Sequence, residues 1–99
     1  MEYKNDALEV SFSLPDAITV RQQLNIKSRM VMMFDIDDYY MIFWNSLLPV
    51  IENWKCKTIP DPKELDMNES TDPKVARIVV WVCTEANRWF TGLESVEKN

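Results

Sequence analysis

Ninety-nine residues, of which 46% are hydrophobic and 11% aromatic, exclude a disordered chain and leave room for one core, not two. Eleven basic against sixteen acidic residues give a net charge of −5, which repels phosphate backbones and sets direct nucleic-acid binding aside. With no histidine and a single glycine, the sequence lacks the commonest acid–base catalyst, the commonest zinc ligand and any glycine-rich phosphate loop.

The chain opens polar from Met1 to Asp6, and no apolar run approaches the ~20 residues that span a bilayer. A cytoplasmic protein with no membrane contact is therefore expected. Cys56 and Cys83 lack C-x-x-C spacing and read as reduced core thiols. The single glycine, Gly92, argues against a fold built from many tight hairpins, whose turns need residues that tolerate positive φ.

From Ala7 to Leu14 the sequence alternates, with Leu8, Val10 and Phe12 on one side and Glu9, Ser11 and Ser13 on the other. A period of two predicts a short strand with one buried face, ended by Pro15-Asp16. The internal segment that suggests itself as its partner is Arg29 to Phe34; if that run is helical, the strand keeps an open docking edge. Thr19-Val20-Arg21-Gln22 has the form of a capping box and predicts a first helix over Val20 to Lys27, with Leu24 as its apolar contact.

Asp35, Asp37 and Asp38 precede an apolar stretch and suit the positive end of a helix dipole. From there Tyr40, Phe43, Leu47, Ile51 and Trp54 recur at helical spacing. Pro49 interrupts this face and predicts a kink or two short helices. Lys57 to Thr71 is an acidic surface connector carrying Asp61, Glu64, Asp66 and Glu69, with Leu65 and Met67 pinning it to the body.

Asp72-Pro73 supplies an N-cap and a first-turn proline for the clearest helix. Its stripe is Val75, Ile78, Val79, Val82, Ala86, Trp89, Phe90 and Leu93, and Gly92 is placed to cap its end. Val80 and Trp81 lie off that stripe, so the middle of the helix is apolar nearly all round. Such a helix is either central or covered by a partner.

Two motifs are set aside. Met30 to Asp37 resembles the strand and Asp-x-Asp nucleophile of haloacid-dehalogenase-type phosphatases, but Tyr39 stands where a threonine is expected, and the chain is too short for a doubly wound sheet. Asp66 to Ser70 begins like a calcium loop, but Thr71 and Arg77 occupy the positions that require glycine and glutamate. No enzyme activity, cofactor or metal is expected. Tryptophan and tyrosine are enriched at binding hot spots, and this leaves Trp81, Val80, Trp44 and Tyr39, with the two acidic segments, as candidate partner-binding residues.

The layout Leu14-Pro15-Asp16, Ile18 to Leu24, Trp44, Ile51 to Trp54, an acidic loop to Thr71-Asp72-Pro73-Lys74-Val75-Ala76, and Leu93 to Asn99 resembles small accessory proteins of tailed bacteriophages. Size, acidity and helix content are similar to tail-assembly chaperones among them. The resemblance implies a non-catalytic protein in the host cytoplasm that shields a phage structural protein, with the face around Trp81 as the shield. The runner-up is an acidic inhibitor that presents its carboxylates to the basic nucleic-acid groove of a host protein. A second copy of the chain is a further partner left open. The expected fold is a single mainly α (α+β) domain over residues 1–99, with three to four helices and a short N-terminal strand or hairpin.

Overall fold

The computed structural model of the chain describes residues 1–31 and 36–96. In order they form β1 (Glu2–Asn5), β2 (Val10–Ser13), α1 (Val20–Val31), α2 (Ile36–Leu47), β3 (Glu52–Cys56), a 3₁₀ turn (Pro62–Glu64) and α3 (Pro73–Val96). The strands make one antiparallel sheet in the order β1-β2-β3. The architecture is therefore α+β, with a three-stranded sheet at its base, and the expectation of a mainly helical domain is corrected.

The alternation read over Ala7 to Leu14 belongs to the second strand of a hairpin. Val10, Phe12 and Leu14 are buried, while Ser11 and Ser13 face away. β1 pairs with it in register, Tyr3 opposite Phe12 and Lys4 opposite Ser11. The two rings stack with centroids 5.1 Å apart. The hairpin closes without glycine because the Asn5 side chain accepts from Leu8 N–H at 3.0 Å and Glu9 itself takes the positive φ of 55°. Arg29 to Phe34 is not the strand's partner: Arg29 to Val31 lies in α1, and Met32, Met33 and Phe34 fall outside the described residues.

The second correction concerns Ile51 and Trp54, placed on a helical face that Pro49 would kink. Instead α2 stops at Leu47, whose carbonyl accepts from both Val50 and Ile51 N–H at 2.9 and 3.0 Å. Proline disfavours helical backbone in the residue before it, so the chain turns there and returns as β3 against β2. The pairing carries an irregularity between Ser11 and Ser13, and Asn53 sits at φ 54°. An unpaired residue in left-handed conformation makes a bulge, and asparagine tolerates it better than most residues. Cys56 thus ends a strand and is half-buried, not a full member of the core.

The Thr19–Gln22 capping box forms as expected. Gln22 N–H donates to Thr19 Oγ1 at 3.1 Å and Gln22 Oε1 accepts from Thr19 N–H at 3.0 Å. The helix it starts runs one turn beyond Lys27. α3 is capped by Asp72, whose Oδ1 accepts from Lys74 N–H at 2.9 Å. Gly92 is interior to α3 and does not cap it; its φ is not positive.

α2 and α3 both cover the apolar face of the sheet, Trp44 meeting Trp54 and Trp81 meeting Phe12. The predicted stripe of α3 supplies much of the core, with Ile78, Val82, Ala86 and Phe90 fully buried, and Cys83 beside it is buried as well. α1 packs on α2 at the periphery, and Ile26 is the buried residue among its described side chains. No helix among the described residues is long and apolar enough to cross a membrane.

Candidate functional site

α2, α3 and the connector meet at a groove of about 200 Å³. Tyr40 comes from the first half of α2, Val75, Val79 and Val80 from α3, and Met67 from the connector, with Asp72 on the rim. Burial differs along it. Val75 and Val79 form the floor, whereas Tyr40 and Val80 remain 38% and 40% exposed. Tyr40 is held by an edge-to-face contact with Tyr39, centroids 5.1 Å apart, and Tyr39 in turn packs on Phe43. The Tyr40 ring is thereby oriented before anything binds.

This space is below the ~300–1,000 Å³ of small-molecule sites. It is the right size for one or two apolar side chains of a partner, with Asp72 placed to attract a cation beside them. The chemistry in reach does not extend further. Burial pushes the Cys83 thiol up to about 12, so it stays protonated and inert at neutral pH. Burial, followed by the neighbouring Cys83 and Tyr40, also raises the Tyr39 phenol above its ordinary value. Among the described residues no three Cys, Asp or Glu side chains converge on a point that could hold a metal ion.

The residues singled out from the sequence separate into distinct places. Val80 lies at the mouth of the groove. Trp81 does not present a free face: it is half-buried against the sheet, its ring 5.6 Å from Phe12 at 84°. A helix packed on both a sheet and a second helix buries more than one stripe, which accounts for its nearly all-round apolar middle. Trp44 is 1% exposed and belongs to the core, with its indole Nε1–H lacking a partner among the described residues. Tyr39 is half-buried and supports Tyr40. Asp37 and Asp38 fall in the first turn of α2, and Asp35 lies outside the described residues.

The connector's carboxylates are exposed, but two of them are engaged in shaping it. Asp61 Oδ1 accepts from Lys63 N–H and Asp66 Oδ1 from Asn68 N–H, each at 2.9 Å. Glu64 and Glu69 make no such cap. Together with Asp72 they give the connector an acidic outer surface beside the groove, and Ser70 and Val75 are common to both.

The sequence reading missed Tyr40, Met67 and Val75 as neighbours of Val80. Tyr40 sat on the predicted buried face of α2, and its exposure depends on where α3 crosses. The outer face of the sheet is a second polar surface, with Lys4, Ser11 and Lys55 side by side across the three strands. Lys4 pairs with Asp6 at 3.5 Å, and Glu9 beside it pairs with Lys74, so charges of both signs meet on this surface. No protein-family model, curated protein or solved structure matches the chain.

Proposed function

We propose that this chain is a non-catalytic protein-binding module whose α2–α3 groove receives apolar side chains from a partner. The observation that carries this reading is the pairing of Tyr40 and Val80, both substantially exposed, at the mouth of an apolar groove with a carboxylate rim. A helix laid into such a groove gains affinity from its apolar anchors and register from the charge beside them. The role implied by the phage resemblance, an assembly accessory or chaperone that shields a structural protein, is the form of binding we favour. Its shielding surface is the Tyr40–Val80 groove and not Trp81, which the sheet already covers.

The exposed carboxylates of the connector favour a second reading, an acidic inhibitor that blocks a basic groove of a host protein. In that case Glu64 and Glu69, which the fold does not use as caps, are the contact residues. One experiment separates the two. Wild type, Val80→Asp and the double variant Glu64→Gln/Glu69→Gln are immobilised and challenged with lysate of the source system at low and moderate salt. A partner lost with Val80→Asp and retained in salt supports the groove. A partner lost with the double variant and with salt supports the inhibitor, because exposed charges are screened over about 8–10 Å at moderate ionic strength. Binding indifferent to all these changes overturns both.

A further inference from the structure

The surface of α1 does not fit the rest of the molecule. In a chain of net charge −5, this helix carries Arg21, Lys27 and Arg29 and no acidic residue. Val20 and Leu24 stand one turn apart on it and are 70% and 62% exposed, the two most exposed branched apolar residues described. Arg21 lies three residues before Leu24, and residues three and four apart share a helix face. The exposed face of α1 therefore presents two apolar knobs beside a guanidinium. The groove between α2 and α3 presents the complement, an apolar slot sized for one or two side chains with Asp72 on its rim and the acidic connector alongside.

We infer that the chain associates with itself head to tail, α1 of one copy docking through Leu24 and Val20 in the α2–α3 groove of the next, with Arg21 against the acidic rim. The inference rests on the groove being a protein-binding site, as proposed above, and names a second copy as one occupant. Local complementarity argues for this occupant: α1 carries Arg21, Lys27 and Arg29 with no acidic residue, and the groove has Asp72 on its rim with Glu64 and Glu69 alongside. Charge also disfavours a symmetric pairing of two α1 helices, which would set Arg21 of one near the cations of the other. Because donor and acceptor are different patches, the contact is heterologous, and each bound copy leaves one donor and one acceptor free to extend the assembly.

Donor and acceptor can be disabled separately, and this makes the test decisive. Leu24→Glu removes the donor and Val80→Asp the acceptor; both positions are exposed, and far-ultraviolet circular dichroism verifies that each variant keeps the fold. Sedimentation equilibrium is run on wild type, on each variant, and on their equimolar mixture. The contact is small, in the class of weak interfaces, so the range is about 10 μM to about 1 mM. Wild type is expected to rise in average mass with concentration beyond a dimer, and to hold most of that association as salt is added, because Leu24 and Val20 in the apolar groove carry the contact. Each variant alone is expected to associate at least about tenfold more weakly. The mixture is expected to form a 1:1 dimer and stop, because the intact α1 of one variant fills the intact groove of the other and no complementary pair of surfaces remains.

A Val80→Asp protein that still dimerises, with Leu24→Glu monomeric, would establish a symmetric α1 contact and overturn the inference. Wild type that stays monomeric throughout also overturns it, and the groove reading then stands or falls on whether Val80-dependent capture persists. Vesicles of phosphatidylserine and phosphatidylcholine that bind wild type but not Leu24→Glu, with no self-association, would assign α1 to a membrane surface and overturn it equally.

Discussion

The Trp81 ring meets Phe12 edge-on, centroids 5.6 Å apart, while Val80, one residue earlier on the same helix, points into an open groove. One residue turns a helix face by about 100°, so adjacent apolar positions of α3 serve different ends. Trp81 ties the helix to the sheet, and Val80 is available to a partner. The account predicts opposite consequences for the two positions. Trp81→Ala should cost about 3 kcal/mol in urea unfolding, whereas Val80→Asp should change stability by less than about 0.5 kcal/mol and abolish partner binding. If Trp81→Ala left stability unchanged, the packing described here would be wrong.

A contrast among the tryptophans gives a second prediction. Trp54 Nε1–H donates to Ile59 C=O at 2.7 Å and Trp89 Nε1–H to Pro15 C=O at 2.8 Å, but the buried Nε1–H of Trp44 has no partner among the described residues. An unmet buried donor costs about 1–3 kcal/mol. Trp44→Phe removes that cost while losing some packing, and should stay within about 1 kcal/mol of wild type. Trp89→Phe loses packing and deprives the Pro15 carbonyl of its donor, and should cost at least about 2 kcal/mol. Equal losses in chemical denaturation would contradict the assignment.

Glu9 and Lys74, 65 residues apart, join the hairpin turn to the first turn of α3 at 2.9 Å. The hydrogen bond and charge of Lys74, and to a lesser degree the charge of Lys57, lower the Glu9 pKa from its ordinary value. A carboxyl whose folded pKa is depressed stabilises the fold above its unfolded pKa. That contribution is lost as pH falls through the folded value. A nuclear magnetic resonance titration of Glu9 should therefore show a midpoint below 4.5, returning toward it in Lys74→Met. A midpoint unmoved by that substitution would sink the link.

Much of this arrangement was legible in the sequence. The capping box at Thr19, the Asp72-Pro73 start and the stripe from Val75 to Leu93 depend on neighbours within a turn or two, and each is seen. β3 was not legible, because Ile51 and Trp54 continue the helical spacing of Leu47, and the bulge at Asn53 breaks the alternation that would have marked a strand. β1 escaped notice because Tyr3 is its main apolar contact. The groove was half legible: Val80 stood out as off the stripe, but Tyr40 matched a buried face, and only the crossing of α2 and α3 exposes it. Trp81 shows the converse, since an off-stripe ring can be covered by a sheet that periodicity alone does not place.

α1 should be the least stable helix of the three. Its described side chains bury Ile26 alone, so its stability leans on the Thr19 cap. Thr19→Ala should cost about 1 kcal/mol and raise amide exchange across Val20–Val31 well before exchange in α3 changes. Uniform loss of protection across all helices would show that α1 is integral to the cooperative core.

Photo-crosslinking from Tyr40 tests the central claim most directly. Tyr40→p-benzoylphenylalanine places a reactive ring at the mouth of the groove, and the same substitution at Ser13 on the outer face of the sheet serves as the control. The account predicts discrete adducts from position 40, to a partner protein or a second copy, that vanish when Val80→Asp is added. Adducts from position 13 that survive Val80→Asp, with none from position 40, would contradict it and move the binding surface to the sheet.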